Sequence, residues 1–515
     1  MNIGFVSFFA FRPHVEHLYA LSKIVADKGH NVSFLSCDSA LSSCYRRELT
    51  QGSRFECVKC TVGGIRSYAS RQVDSGRSLR EPDPLNIEHA HWGHSSTSTI
   101  IRAETQDDKD SPAFVAMKNR LSAAALESFG ITRNWIKKRR LDAIVCFNGR
   151  MDATRGVLEA ARYDKVMYVS FERAMADGLL LLPNTDCLGL QEVHRTVREF
   201  RDRPLKKTQA IAASKIVVSR FLKKNTQEWR TYNINSVDQE WPTPSQRRIL
   251  ILPSSFNELD GHPDWQIKWR DQFDAFTNVV RALELPRDSF VMRGHPNWSE
   301  NIGAASGNTI ETHYQKWATE NGVLYIPGKS NISTKHLIAQ CDTVIVNGGS
   351  AAFEAGLLGK KIISLVPANY RDSGFVLNYL STDDDDELKK LKDHSARETV
   401  RMTVRFLYSW CFRAMQYTRE IKALDSIHYL YDASLDGDKL LNIIGNNRVD
   451  PDDASYADDA SGEDAVLDMI ENHRWEEIYN SQDATQQIHT PITFERRPVF
   501  RFIDGLRALL PVGDR

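Results

Sequence analysis

Long apolar runs are missing from this 515-residue chain. No segment approaches the roughly 18 uninterrupted apolar residues of a membrane-spanning helix, so a helical integral membrane protein is excluded. Net charge is nearly missing too, with 66 Lys and Arg against 67 Asp and Glu. A general nucleic-acid binder carries a basic footprint, and nucleic acid is therefore not an expected partner. The opening MNIGFVSFFAFRP has no basic leader and no small-residue cleavage site, and it reads as a first β-strand rather than a signal peptide. A cytoplasmic location is the expectation, in which the eight cysteines are reduced. An Asp-x-Asp metal motif is absent from the strand ends. The acidic run Asp383 to Glu387 contains it formally, but contiguous acids repel and favour water, so the run reads as a solvated turn or helix start.

What is present is a repeated alternation of strand and helix. The run IGFVSFF, a helical pattern from about Val15 to Asp27, a KGH turn and NVSFLS form an opening βαβ unit. After the polar tract Ser67 to Asp110, which reads as a long mobile loop with helical pieces, the alternation resumes with DAIVCF and VMYVSF. A second series follows: RRILILPSS, FVMRGHP, VLYIPG, TVIVNGG and KIISLVP. The expected fold is α/β, with two Rossmann-like domains facing a cleft and a helical C-terminal extension. The expected divisions are 1–240, 247–380, a helical segment 381–448 packing on the core, and an acidic linker with a basic amphipathic tail over 449–515. That tail, FERRPVFRFIDGLRALLPVGDR, has the composition to touch membrane lipid or to dock onto its own protein.

Chemistry is most legible between Val291 and Leu365. A short strand delivers Arg293 and the His295-Pro296 pair into a loop, where a guanidinium and an imidazole can meet an anion. Further on, β-branched Val344 to Val346 lead into Asn347-Gly348-Gly349, and Ser350 opens a helix. A turn without side-chain bulk before unpaired helix N–H groups suits phosphate, which makes Gly348, Gly349 and Ser350 candidate ligands. Glu354 lies one turn beyond Ser350 on the same face. Lys329, Ser333 and Thr334 sit where another strand ends and a helix begins, with Ser333 best explained as an N-cap. His262, in a second GHP turn, reads as loop punctuation.

In the first half, Asn148, Gly149 and Arg150 fall at a strand's C-terminal end, and Asp152 and Arg155 begin the next helix. The following strand ends in Glu172 and Arg173, at the sheet edge where ligands of open α/β sheets gather. Transfer of a group to a hydroxyl needs a base, or a carboxylate that acts as nucleophile. Glu172 is the first choice, Asp152 the second, and a structural ion pair between Glu172 and Arg150 is the competing role. Four cysteines, Cys37, Cys44, Cys57 and Cys60, are spaced C-x6-C-x12-C-x2-C. Their C-x2-C ending matches a zinc knuckle while the first spacing is wider than usual, so a structural zinc and four ordinary small core residues are both open.

These motifs resemble the capsule-polysaccharide synthesis family of GT-B glycosyltransferases, whose members include transferases of 3-deoxy-manno-octulosonic acid (Kdo). The resemblance covers motif order from about Asn2 to Pro367 and is strongest from Ile249 to Leu365. It implies that His295-Pro296 and Ser350 hold the phosphate of a CMP-sugar in the C-terminal domain, that Glu354 hydrogen-bonds a ribose, and that NGR and ER, through Arg150 and Glu172, serve the acceptor side. It also implies transfer without a required cofactor, from a nucleotide-sugar donor to a polysaccharide or glycolipid acceptor, in the cytoplasm or at the inner face of the membrane. Two other functions fit the sequence: a CDP-polyol phosphotransferase of the teichoic-acid kind, and a non-catalytic nucleotide-sugar-binding assembly protein.

Overall fold

The first strand, β1 (Asn2–Ser7), lies parallel between β2 (Asn31–Ser36) and β4 (Ala143–Phe147) in the computed structural model, which describes residues 1–80, 87–226, 234–299, 308–485 and 488–507. With β3 (Val73–Ser75), β5 (Met167–Arg173) and β6 (Leu179–Pro183) the sheet runs β3-β2-β1-β4-β5-β6. All pairings are parallel except that of β5 with β6. Helices on both faces explain why these strands read as continuous apolar runs rather than alternating ones.

The second sheet repeats the plan. Strands β7 (Ile249–Leu252), β8 (Phe290–Arg293), β9 (Leu324–Ile326), β10 (Thr343–Val346), β11 (Lys361–Ser364) and β12 (Leu377–Asn378) are ordered β12-β11-β10-β7-β8-β9, all parallel. Each sheet thus has the doubly wound order 3-2-1-4-5-6, with its switch point between the first and fourth strands. Two such domains facing a cleft are the GT-B arrangement.

Four sequence expectations change. The tract Ser67 to Asp110 is not a long loop: it contributes β3, and its helices His94–Ile101 and Gln106–Asp110 dock on the second domain. Glu104 there is 2% exposed; its carboxylate accepts from Asn257 N–H (3.3 Å), Asn257 Nδ2 (2.5 Å), Tyr314 Oη (3.0 Å) and Gln272 Nε2. Asp260 adds His94 Nε2 (2.8 Å) and Lys109 Nζ (3.0 Å) to the same junction. Polar composition had hidden an interface, because its charges are paired rather than solvated.

Helices Gln191–Phe200 and Lys207–Phe221, placed before the expected boundary at 240, share the hydrophobic core of the second sheet. The extension beyond 381 is mixed rather than helical, with a small sheet of β13 (Ile421–Ala423), β14 (Tyr429–Asp432) and β15 (Pro491–Ile492) that packs on the first domain. The acidic stretch 450–464 is no solvated linker either. Glu463 is fully buried against Arg405 (3.0 Å) and Arg401 (2.8 Å), and Asp453 takes hydrogen bonds from Tyr408 (2.5 Å) and Gln209 (2.9 Å). The run around Asp383 forms an exposed 3-10 turn within Thr382–Asp393, as its charge density requires.

Candidate functional site

At the C-terminal edge of the second sheet, the turns after β7, β8, β9 and β10 enclose a cavity of about 340 Å³. Seven of the sequence candidates line it: Arg293, His295, Lys329, Thr334, Gly349, Ser350 and Glu354. Gly348 stands just behind. Its φ of +101° is the left-handed region, and a Cβ there would come within 3.2 Å of Trp265 and 3.3 Å of Leu259 and Val366. Glycine is therefore required to turn the chain sharply off β10. Asn347, fully buried, ties this turn to the one after β7 by accepting from Ser254 N–H (2.5 Å) and donating to Gln272 Oε1 (2.9 Å).

The GHPNW turn holds His295 by a simple device. Pro296 starts a 3-10 turn, and Asn297 N–H donates to His295 Nδ1 (3.3 Å). With Nδ1 accepting, the proton sits on Nε2. Burial, and then the charge of Arg293, push the imidazole pKa down to about 4, so His295 is a neutral N–H donor at pH 7. The GHPDW turn repeats the device: Asp264 N–H donates to His262 Nδ1 (3.0 Å). His262 Nε2, however, faces Asp186 Oδ1 of the first domain at 3.4 Å, which makes this second turn an interdomain contact.

Arg293 does not meet the cavity as a free cation. Its Nη1 donates to the carbonyls of Gly294 (2.7 Å), Pro327 (3.1 Å) and Gly328 (3.3 Å), and its Nη2 to Ser330 (2.9 Å). It fastens the turn after β9 to the His295 turn. Besides Lys329, cationic lining comes from residues that sequence reasoning missed. Arg220, at the end of the helix Lys207–Phe221, reaches Ser350 Oγ (3.3 Å) and Glu354 Oε1 (3.2 Å). Lys335, beside Thr334, also lines the cavity, and burial pulls its pKa down. Arg220 carried no local motif, since only the docking of its helix brings it here. Glu354 retains acceptor capacity for a ligand hydroxyl, because a carboxylate accepts up to about four hydrogen bonds. Ser333 caps the helix Thr334–Gln340 through His336 N–H (3.2 Å), as expected.

Across the cleft, Glu172 closes β5 with its side chain 24% exposed. Its Oε1 meets His14 Nε2 (3.2 Å) and Arg173 N–H (3.1 Å), and its Oε2 meets Asn148 Nδ2 (3.4 Å). Burial raises its pKa to about 7, while burial and then Arg173 hold His14 near 3 as a neutral ring stacked on Phe147 at 4.0 Å. His14 was invisible in sequence because it opens the first helix, far upstream of Phe147 and Glu172. The chain just beyond Glu172 approaches the cavity, with Met175 Sδ 3.9 Å from Arg220 Nη2.

The competing role, an ion pair between Arg150 and Glu172, gives way to other partners. Arg150 donates to Thr99 Oγ1 (3.1 Å) in the docked tract. Asp152, the second catalytic candidate, is fully buried and accepts from Tyr45 N–H (3.0 Å) and Ser96 Oγ (3.0 Å). Without exposed surface it does not face an acceptor. Cys37, Cys44, Cys57 and Cys60 do border one crevice of about 20 Å³. Among the described residues, however, no group of three or more His, Cys, Asp or Glu is placed to hold a metal ion. Burial raises the Cys37, Cys44 and Cys60 thiols, Cys60 to about 11. All four are partly buried, and Cys37 and Cys44 pack against the core of the first domain.

No family model matches the chain, and no curated protein matches it in sequence. Among solved structures, the KpsC β-Kdo 2,4 transferase of Thermosulfurimonas dismutans is similar at 14% identity and a TM-score of 0.33, covering 59% of this chain and 87% of that one. The KpsC β-Kdo 2,7 transferase of the same organism is similar at 10% identity and a TM-score of 0.34, covering 68% and 95%. The UDP-GlcNAc 2-epimerase of Neisseria meningitidis, solved with UDP-GlcNAc, is similar at 11% identity and a TM-score of 0.27, covering 79% and 96%. At these scores the likeness carries no argument about activity or substrate.

Proposed function

We propose that the protein is a glycosyltransferase that moves a sugar from a nucleotide donor, with a CMP-linked acidic sugar favoured, to a capsule polysaccharide or glycolipid acceptor. The observation that carries this reading is the convergence of His295 Nε2–H, Ser350, Arg220 and Lys335 on one cavity, with Gly349 leaving the backbone open. Such donors stabilise charge that develops on a departing phosphate, and they supply that stabilisation without a metal. Glu354 is the candidate ribose partner, and Thr334 and Lys329 complete the rim.

The acceptor hydroxyl enters from the first domain. Glu172 takes its proton as the acceptor oxygen bonds to the anomeric carbon and the bond from that carbon to the phosphate oxygen breaks. A pKa near 7 suits proton transfer at neutral pH. Retention of configuration would instead use Glu172 as nucleophile. The test is thermal stability with CMP, CDP, UDP and GDP in turn, because a ligand that binds only the folded form raises it. CMP is expected to give the largest shift. No shift with any of the four would end the nucleotide-sugar reading.

A further inference from the structure

The four most exposed large hydrophobic side chains among the described residues are Phe502 (70%), Val499 (68%), Phe55 (63%) and Val58 (53%). They occur as two pairs, each spaced one helical turn, on the helices Phe55–Gly63 and Pro498–Arg507. These helices are far apart in sequence yet joined in space. Arg496 Nη2 donates to the Val62 carbonyl (2.5 Å), Arg497 N–H to the Ser67 carbonyl (2.7 Å) and Arg497 Nη1 to the Arg66 carbonyl (3.3 Å). Folding has therefore brought the most exposed large apolar groups among the described residues onto adjoining elements of the first domain.

Four exposed cations surround them. Arg54, Lys59, Arg497 and Arg501 are exposed, with Lys59 Nζ 5.4 Å from the centre of the Phe55 ring. Of the nearby acids, Glu56 is buried and neutralised by Arg46 and Lys59, and Glu495 is paired with Arg501. The cavity that borders the region, at Glu56, Cys57, Cys60 and Thr61, holds only about 20 Å³, too little for a partner's side chain. Protruding apolar groups with a basic surround and no socket suit a planar anionic surface better than a peptide or a protein knob.

We propose that the helices Phe55–Gly63 and Pro498–Arg507 form a docking surface for an anionic lipid bilayer, with Phe55, Val58, Val499 and Phe502 entering the interface and Arg54, Lys59, Arg497 and Arg501 meeting lipid headgroups. The surface belongs to the domain that carries Glu172. The inference does not depend on nucleotide chemistry, and vesicle binding and nucleotide binding fail separately.

The test is flotation of the full chain with phosphatidylcholine vesicles, with and without phosphatidylglycerol, at low and high salt. Binding is expected only with the anionic lipid and is expected to weaken with salt. The Phe55→Ser/Phe502→Ser variant should bind about ten-fold more weakly or worse, since burying one aromatic side chain accounts for that factor. The Arg497→Glu/Arg501→Glu variant should lose the preference for anionic lipid. Because all four residues are exposed, circular dichroism should show both variants folded; if one is not, the other decides. No flotation of the native chain would overturn the proposal, as would equal binding to neutral vesicles or unchanged binding by a folded variant. Self-association that the aromatic variant abolishes, without vesicle binding, would assign the surface to a second copy of the chain instead.

Discussion

Glu104→Gln tests whether the tract around residues 94–110 is bound into the second domain. Burial raises the Glu104 pKa from 4.5 to about 7, against the opposing hydrogen bonds of Gln272, Asn257 and Tyr314. The groups facing it are those three and, at longer range, His313, whose pKa is raised by its hydrogen bond to Asp108. A carboxyl whose folded pKa is raised binds its proton more tightly in the folded state. Its contribution to stability is complete below about pH 4.5 and is lost as pH rises through about 7. A shift of about 2.5 units corresponds to roughly 3 kcal/mol. Glutamine does not titrate, and its amide N–H groups oppose those of Gln272 and Asn257, so the variant should be less stable than the native chain at pH 5. By pH 8 most of that gap should close, because the native chain has lost the contribution and the variant had none to lose. Urea unfolding of both proteins at the two pH values measures the gap. An equal gap at pH 5 and pH 8 would show that Glu104 titrates as a solvated carboxyl, and the docking of the tract would be wrong.

His295→Ala should fold normally yet lower turnover with a verified donor by about a hundred-fold or more, as steady-state kinetics would show, because one donor to developing charge is removed. Glu172→Gln should abolish transfer while leaving nucleotide affinity by calorimetry unchanged, and in the native chain the rate should rise with pH through about 7 as Glu172 loses its proton. Gly348→Ala should cost about 1–3 kcal/mol in unfolding experiments and weaken nucleotide binding, since alanine at that φ strains the turn that sets Gly349 and Ser350.

Both sheets were legible because parallel strands covered on both faces leave long apolar runs, and the cavity was legible because its turns carry glycine, proline and histidine at fixed offsets. What stayed hidden was decided by docking. Arg220 and His14 sit on ordinary helices and acquire partners only when those helices pack. The acidic stretch containing Glu463 looks solvated in sequence, since nothing local reveals Arg401 and Arg405 some 60 residues away. Arg293 was found but misread. Sequence placed a guanidinium by the cavity without showing the four carbonyls that occupy it.

The chain's path past Phe412 bears on engineering. Tyr417 to Val449 join the core of the first domain, Val466 to Ile478 return to that of the second, and Ile492 and Phe494 pack on the first again. The two domains are laced together like the sides of a boot, so neither is a contiguous cassette. Grafting a foreign donor half by a single splice near residue 240 would strip the helices Gln191–Phe200 and Lys207–Phe221 from the half they serve. A transplantable donor unit would have to be stitched from separate pieces, roughly 190–412 and 453–478, with the tract at 94–110 supplied by its host.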